Sequence, residues 1–426
     1  MRSARAVAIA ALLAVTAACS DKRDVLAPAI RPNTLLQPGP VGIGSDPIIV
    51  QYYAQFVEIT AGMNHTCARR RNGRVYCWGM DDADQVGIDR ASAETCENAV
   101  YQCVTRPTYI SASGFTTATR VSAGGRTTCA LDSSGKMWCW GDASRHNFGL
   151  GPSSLGSTTP IQAAGGMVFQ SLGVGPSNVC GTSSGSMFCW GEAAALGGLT
   201  LFPTQVTTAG IPIHFDSVSV QGGTACGQSW NGSSYDVNCW GSNTTGSVGV
   251  DTSLHIVLPF ARPAIQSAGV ATAGSFTCVD RIDGTVACFG DNTQGELGNS
   301  YFTGALTSAP QTVGWNLYLR SAPQLHGVAT GIGGTACALD PNGAAYCWGA
   351  PNALGSNTNR AIARTPLAVQ GGLTFRAIAV AQNHACAIGT DNHIYCWGLN
   401  WAGQLGLGYS SDGVVTTPMQ AVDPVN

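Results

Sequence analysis

The chain has 426 residues, a formal charge of −3, 55 Gly, 20 Pro, and 11% charged against 44% hydrophobic residues. That composition excludes disorder throughout as well as a helical bundle or coiled coil, and describes a turn-rich, mostly β chain: several ordinary domains or one large repeat architecture. With 21 Lys+Arg against 24 Asp+Glu, and lysine only at Lys22 and Lys136, it lacks the electrostatic footprint of a nucleic-acid binder, so no nucleic-acid partner is expected.

Residues 1–18 read as a secretory signal. Arg2 and Arg5 form a basic start, Ala6 to Val15 an apolar run too short to span a bilayer, and Thr16-Ala17-Ala18 a small-residue exit. Cys19 then resembles the lipidated first residue of a bacterial lipoprotein, although Thr16 stands where such signals usually have Leu; simple secretion with a nearby cut is the alternative. The expected location is the cell envelope, outer membrane or cell surface, with the membrane reached by the lipid anchor only. Residues 19–50 hold Pro28, Pro32, Pro38, Pro40 and Pro47 without an apolar period, which describes an extended tether.

From residue 51 to 426 the chain repeats itself. The mark is Cys-aromatic-Gly, at Cys77-Trp78-Gly79, Cys139-Trp140-Gly141, Cys189-Trp190-Gly191, Cys239-Trp240-Gly241, Cys288-Phe289-Gly290, Cys347-Trp348-Gly349 and Cys396-Trp397-Gly398. Seven units of about fifty residues follow from that spacing, two of them lengthened. Each has a short apolar run such as Phe56-Val57-Glu58-Ile59, a strand with a first cysteine, a tight turn, a second strand ending in the mark, a loop, and a Pro-led strand such as Thr365-Pro366-Leu367. Four short strands per unit without a helical period predict four-stranded antiparallel sheets, and seven of them an all-β, seven-bladed propeller.

The order Ala-Gly-x-x-His-x-Cys-Ala, then Asn-Gly-x-x-Tyr-Cys-Trp-Gly-x-Asn-x-x-Gly-Gln-Leu-Gly, resembles the regulator of chromosome condensation repeat, most clearly in the first, fifth and seventh units. The resemblance covers roughly residues 55 to 422 and implies the same seven-bladed fold. The family's best-known activity, nucleotide exchange on a nuclear small GTPase, does not suit an exported chain, so the resemblance transfers architecture and not activity.

Each unit supplies two cysteines: Cys67 and Cys77, Cys129 and Cys139, Cys180 and Cys189, Cys226 and Cys239, Cys278 and Cys288, Cys337 and Cys347, Cys386 and Cys396. Where the gap is ten residues, opposed cysteines leave a three-residue loop whose last residue wants positive φ, and that position holds Gly73, Gly135, Gly284, Gly343 or Asn392. The third unit closes instead on Ser184-Gly185. Seven cross-strand disulfides are therefore expected, with an eighth between Cys96 and Cys103 in the longest insertion, and Cys19 is left for the lipid. No Cys-x-x-Cys occurs, so neither metal nor any other cofactor is expected.

Residues that invite a catalytic reading have simpler ones. Gly181-Thr182-Ser183-Ser184-Gly185 matches a nucleophile elbow but occupies a hairpin turn. His65 and His384 fall where other units have Thr127, Asn178, Thr224, Phe276 and Thr335, which points to a structural hydrogen-bonding position. Asp81, Asp82, Asp84 and Asp89 lack the ligand order of a calcium loop, and the seven aromatic residues of the marks read as blade core. The expected function is a non-catalytic exported scaffold binding a protein or glycan at the cell surface, as a monomer. A secreted inhibitor of an enzyme is the alternative, because some exported members of the resembled family block β-lactamases with one propeller face; a polysaccharide-acting enzyme ranks third.

Two placements follow from strand parity. The spare C-terminal strand Thr417-Pro418-Met419-Gln420-Ala421-Val422 is expected to complete the first blade. The lengthened third-to-fourth turn of unit four, with Trp230 and Tyr235, and an elongated first-to-second connection after Pro310, with Trp315 and Tyr318, should share one face opposite the Cys96 to Cys103 loop, and these four aromatics are the candidate binding residues. The simpler reading of Trp315-Asn316-Leu317-Tyr318-Leu319 is a buried strand.

Overall fold

Turn chemistry sets the unit on which the chain is built. Strands His65–Arg70 and Val75–Met80 pair with Cys67 directly opposite Cys77, and the other six units repeat that register. The loop position that must turn left-handed does so: φ is 85° at Gly73, 79° at Gly135, 80° at Gly284, 85° at Gly343 and 74° at Asn392, and 50° and 80° across Ser184-Gly185. Opposed cysteines therefore lie with Cα atoms 4.1 Å apart in all seven hairpins, at disulfide-bond distance, and Cys96 pairs with Cys103 in the insertion. These contacts come from a computed structural model that describes residues 54–425 apart from 90–91, 97–100, 154–155, 194–197, 209–210, 213, 258–264, 301–305, 316–322 and 358–360.

The Cys-aromatic-Gly mark is a bulge. Where the third strand of a unit meets the fourth, the register shifts between the cysteine and the glycine, as at Cys77/Gly79, Cys347/Gly349 and Cys396/Gly398. The glycines take φ between 96° and 119°, and the bulge turns the aromatic ring into the neighbouring blade. Trp78, Trp140, Trp190, Trp240, Trp348 and Trp397 are fully buried and Phe289 is 3% exposed. A Cβ on Gly398 would sit 2.4 Å from the Asn383 carbonyl oxygen and 2.7 Å from the His384 Cα. Gly398→Ala is therefore expected to lower unfolding stability by about 3 kcal/mol, from left-handed strain plus a backbone clash, read as a shift in denaturant midpoint at unchanged slope.

Among the described residues the first unit forms a five-stranded sheet, because the short strand Glu94–Thr95 of the insertion joins the outer strand Gln102–Ile110. The second, third, sixth and seventh units form separate four-stranded sheets. Units four and five do not stand apart, which corrects the expectation of seven independent four-stranded blades: they share one eight-stranded sheet. The reason is the longer hairpin of unit four, whose strand Tyr235–Ser242 runs on far enough to pair Tyr235 with Ser267 and Asp236 with Gln266 of unit five, while its own outer strand is reduced to Ile256–Val257.

A second correction concerns closure. Residues 411–420 pair with Ile394–Asn400 inside the last sheet and do not complete the first. Apart from unit four, each unit takes as its fourth strand the Pro-containing strand that follows its own mark, so the first sheet is already filled by Gln102–Ile110. Val425 reaches over in a parallel bridge to Thr108, and Gly408 N donates to the Thr105 carbonyl at 2.9 Å. The opening strands of successive units lie side by side in order, and Phe56–Ala61 lies beside Phe375–Val380. Side chains add to the closure: Trp78 Nε1 donates to the Gln404 carbonyl at 3.0 Å, Arg376 Nη2 to the Phe56 carbonyl at 2.7 Å, and His384 Nε2 lies 2.8 Å from Thr66 Oγ1. The indole bond recurs between other neighbours, from Trp190 to Asn147, Trp348 to Glu296 and Trp397 to Ala353.

Candidate interaction face

Antiparallel order puts all hairpin tips, and all connections from one sheet to the next, at one end of the strands, and the loops after the marks, including Cys96 to Cys103, at the other. Trp230 and Tyr235 close the hairpin of unit four as its last opposed pair, their ring centroids 5.1 Å apart in an edge contact. Trp230 is 53% exposed. Asn231 shapes the tip: its Oδ1 accepts the Ser233 and Ser234 N–H at 3.0 Å and its Nδ2 donates to Asp236 at 2.9 Å, while Trp230 N donates to Asp216 at 3.1 Å. An aromatic pair is thus presented on a tip ordered in advance.

Trp315 lies in the connection between Thr307–Thr312 and His326–Gly331, between two sheets and not within one blade as its sequence position implied. It is half-buried, with its ring 4.9 Å from Tyr346. The structure therefore joins Trp230 to Tyr235 and joins Trp315 to the sixth unit. Tyr318 and Cys19 lie outside the described residues.

His65 and His384 are fully buried. His65 Nε2 lies 2.8 Å from Thr128 Oγ1, whose hydroxyl donates to the Gln85 carbonyl; His384 Nε2 meets Thr66 Oγ1, whose hydroxyl donates to the Gln404 carbonyl. With each threonine proton already used, each histidine donates from Nε2 and its Nδ1 is left as a buried acceptor without a partner. Protonation would bury an unpaired charge, and burial accordingly pulls both imidazoles down to about 3; the charge of His65 adds to the effect on His384. These histidines pin neighbouring units together. Gly181-Thr182-Ser183-Ser184-Gly185 forms a hairpin turn and no elbow. In the acidic loop, Asp81 accepts the Val86 N–H and Asp82 pairs with Arg126.

A feature that sequence reading passed over is the run Arg69-Arg70-Arg71 with Arg74, which chain-wide charge averaged away. It forms the hairpin of the first unit, where Arg70 lies over the rings of Phe56 and Tyr76.

The regulator of chromosome condensation (RCC1) repeat pattern matches residues 56–85, 118–147 and 375–404, and a second form of it residues 72–131. These stretches of the chain are similar to the regulator of chromosome condensation repeat. Protein pim1 of Schizosaccharomyces pombe is 38% identical over 98 residues, 22% of this chain and 18% of pim1; the ultraviolet-B receptor UVR8 of Arabidopsis thaliana is 26% identical over 160 residues, 37% and 35% of the two chains. The chain thus matches well under two thirds of either relative. Among solved structures, Prp20p from Saccharomyces cerevisiae is 17% identical with a TM-score of 0.67 over 88% of this chain and 89% of its own. Human WBSCR16 is 15% identical with a TM-score of 0.67 over 82% and 95%. At such identity the likeness speaks for the propeller fold. The Prp20p structure was described together with its binding to Gsp1p and histones.

Proposed function

We propose that the protein is a non-catalytic interaction scaffold, a seven-bladed ring once the shared sheet is counted as two blades, exported and held at the cell envelope by a lipid on Cys19. It captures a protein through the hairpin end of its strands. The observation that carries this reading is the preordered, exposed Trp230 against Tyr235, on the one hairpin whose cysteines are 13 residues apart where the others are 9 or 10. Large amphipathic rings on a fixed tip are the anchors that interfaces favour. Protein binding by Prp20p makes capture of a protein the first class to test. Trp315 extends the proposed surface.

The test is affinity capture from cell-envelope extract with the full chain and with Trp230→Ser/Tyr235→Ser. Loss of a central aromatic anchor is expected to weaken the captured partner by at least roughly tenfold; unchanged capture sinks the assignment. Cys19→Ala should move the protein from the membrane to the soluble fraction.

A further inference from the structure

Four post-mark loops share one bond: the side-chain oxygen of Asp81, Asn243, Asn292 or Asn400 accepts the N–H five residues on, at 2.9 to 3.1 Å. The residue that follows it is Asp82, Thr244, Thr293 and, in the last unit, Trp401. The loop forms as well around an aspartate or a threonine, so the turn does not require the indole. The first unit departs from the repeat at the same seam, through the insertion that the Cys96–Cys103 bond closes. The two departures meet: Trp401 packs on Met80, Cys96 and Cys103, and the Tyr101 ring lies 5.4 Å from it at 64°.

The result is an aromatic corner at the mark end of the seam. Tyr101 is 39% exposed and Trp401 half-buried. A third ring, Tyr409, is 47% exposed at the far end of the Trp401 loop. Asn400 Nδ2 donates to the Tyr409 carbonyl at 2.9 Å, and the bond from Gly408 N to the Thr105 carbonyl seats that end of the loop on the outer strand of the first unit. The polar ends of the three rings are unspent. Among the described residues neither the Trp401 indole N–H nor the hydroxyls of Tyr101 and Tyr409 have a hydrogen-bond partner, and the indole N–H is open to solvent. The indoles of Trp78, Trp138, Trp190, Trp348 and Trp397 are all bonded.

We propose that this corner binds a neutral polysaccharide of hexopyranose units. A pyranose with equatorial hydroxyls turns axial C–H groups to both of its faces, and a C–H carries the partial positive charge that the face of an aromatic ring attracts. Its hydroxyls accept from an indole N–H and both donate to and accept from phenols, the groups left unpaired here. Charge does not select an ion: exposed groups of both signs stand on the segments that carry these rings, Glu94 and Arg106 in the first unit and Asp412 in the last, with Arg106 against Gly408. Rings set on an open seam suit a polymer that passes across it, and the disulfide orders the Tyr101 loop before the ligand arrives, which lowers the entropic cost of binding. The site lies at the end of the strands opposite the Trp230 tip, so it is separate from protein capture and does not rest on it.

The experiment is affinity electrophoresis of the full chain through native gels that contain hydroxyethylcellulose, a neutral β-linked glucan, at low and high salt. Retardation that salt leaves unchanged is expected. Tyr101→Ala and Tyr409→Ala should each weaken it by roughly tenfold, as loss of an aromatic anchor does. Trp401→Phe, which keeps a ring and removes the donor, should weaken it by roughly fivefold. Phe202→Ala, at an exposed aromatic of the third unit outside the corner, should leave it unchanged. Tyr101 and Tyr409 are both partly exposed, so their variants should keep the denaturant midpoint of the wild type; should one of them fail to fold, the other decides. No retardation, retardation that salt abolishes or that the acidic polysaccharide alginate produces equally, equal weakening by Phe202→Ala, or full retardation of folded Tyr101→Ala overturns the proposal. Capture of a protein from envelope extract that is lost in Tyr101→Ala but kept in Trp230→Ser/Tyr235→Ser would assign the corner to a protein instead and overturn it as well.

Discussion

Reduction of the folded chain is expected to unfold it. Each hairpin bond closes a loop of about ten residues and contributes roughly 2 to 3 kcal/mol in the loop-entropy picture. Seven of them together reach or exceed the 5 to 15 kcal/mol typical of a whole domain. The sulfurs are shielded, with the blade cysteines at most 1% exposed, so reductant should act only as sheets open. The Cys96 to Cys103 bond, in an insertion and with Cys96 at 3% exposure, should go first and at small cost. Trapping free thiols at intervals and following near-ultraviolet dichroism should show one early pair of thiols with the signal retained, then joint loss of the rest with the signal. A fully reduced chain that keeps its dichroism and melting temperature would contradict this.

The second large effect is on the acid side. His65 and His384 titrate near 3 in the folded chain against about 6.5 unfolded. Between those values the unfolded chain binds more protons, so stability rises with pH and is lost as pH falls, by up to about 1.4 kcal/mol per pH unit for each histidine. Two carboxyls work the other way. Burial pushes Asp280 up to about 6 and Glu296 up to about 7, so from about pH 4 upward the folded chain binds more protons at these two, and their contribution falls as pH rises. The four groups offset one another between about pH 4.5 and 6, and the steep loss belongs below about pH 4, where both carboxyls are protonated in either state and the histidines are joined by Asp132, Asp251, Asp283 and Asp391, whose carboxyls stand below their usual range and lose their contribution as pH falls. Replacing both histidines by Asn, the residue that unit three carries at this position as Asn178, should flatten that limb while lowering stability at pH 7. Denaturant midpoints of the two proteins across the range check it: parallel curves would mean that the histidines are not the acid-labile groups.

How much of this was legible in sequence follows from how local each decision is. The hairpins, their register and their disulfides are set within ten residues by Gly73, Asn392 and their equivalents, and turn chemistry alone places them. The glycine of the mark was visible as a pattern, but its cause, a bulge with φ near +100° against the neighbouring backbone, is a tertiary fact. The Pro-led strand could have joined the unit before it or the unit after it. Sequence spacing is neutral between the two, and only the pairing of Gln102–Ile110 with Val75–Met80 decides. Fusion of units four and five was unreadable for the same reason: Trp230 and Tyr235 announced a long hairpin, but not that Asp236 would reach Gln266. Within the candidate face, Trp230 is exposed on a hairpin that the cysteine spacing marks as long, whereas the partnership of Trp315 with Tyr346 needed the fold. The arginine hairpin was missed by averaging, since a net charge of −3 conceals four arginines within six residues.

Hydrogen exchange of the full chain, alone and with the partner that it captures, locates the binding end of the strands directly. Slowed exchange is predicted in the unit-four tip, residues 228–236, and in hairpin tips beside it, with the post-mark loops such as 81–89 and 142–153 unchanged. Slowing confined to those post-mark loops, with the Trp230 tip exchanging as in the free protein, would contradict the assignment of the interaction face.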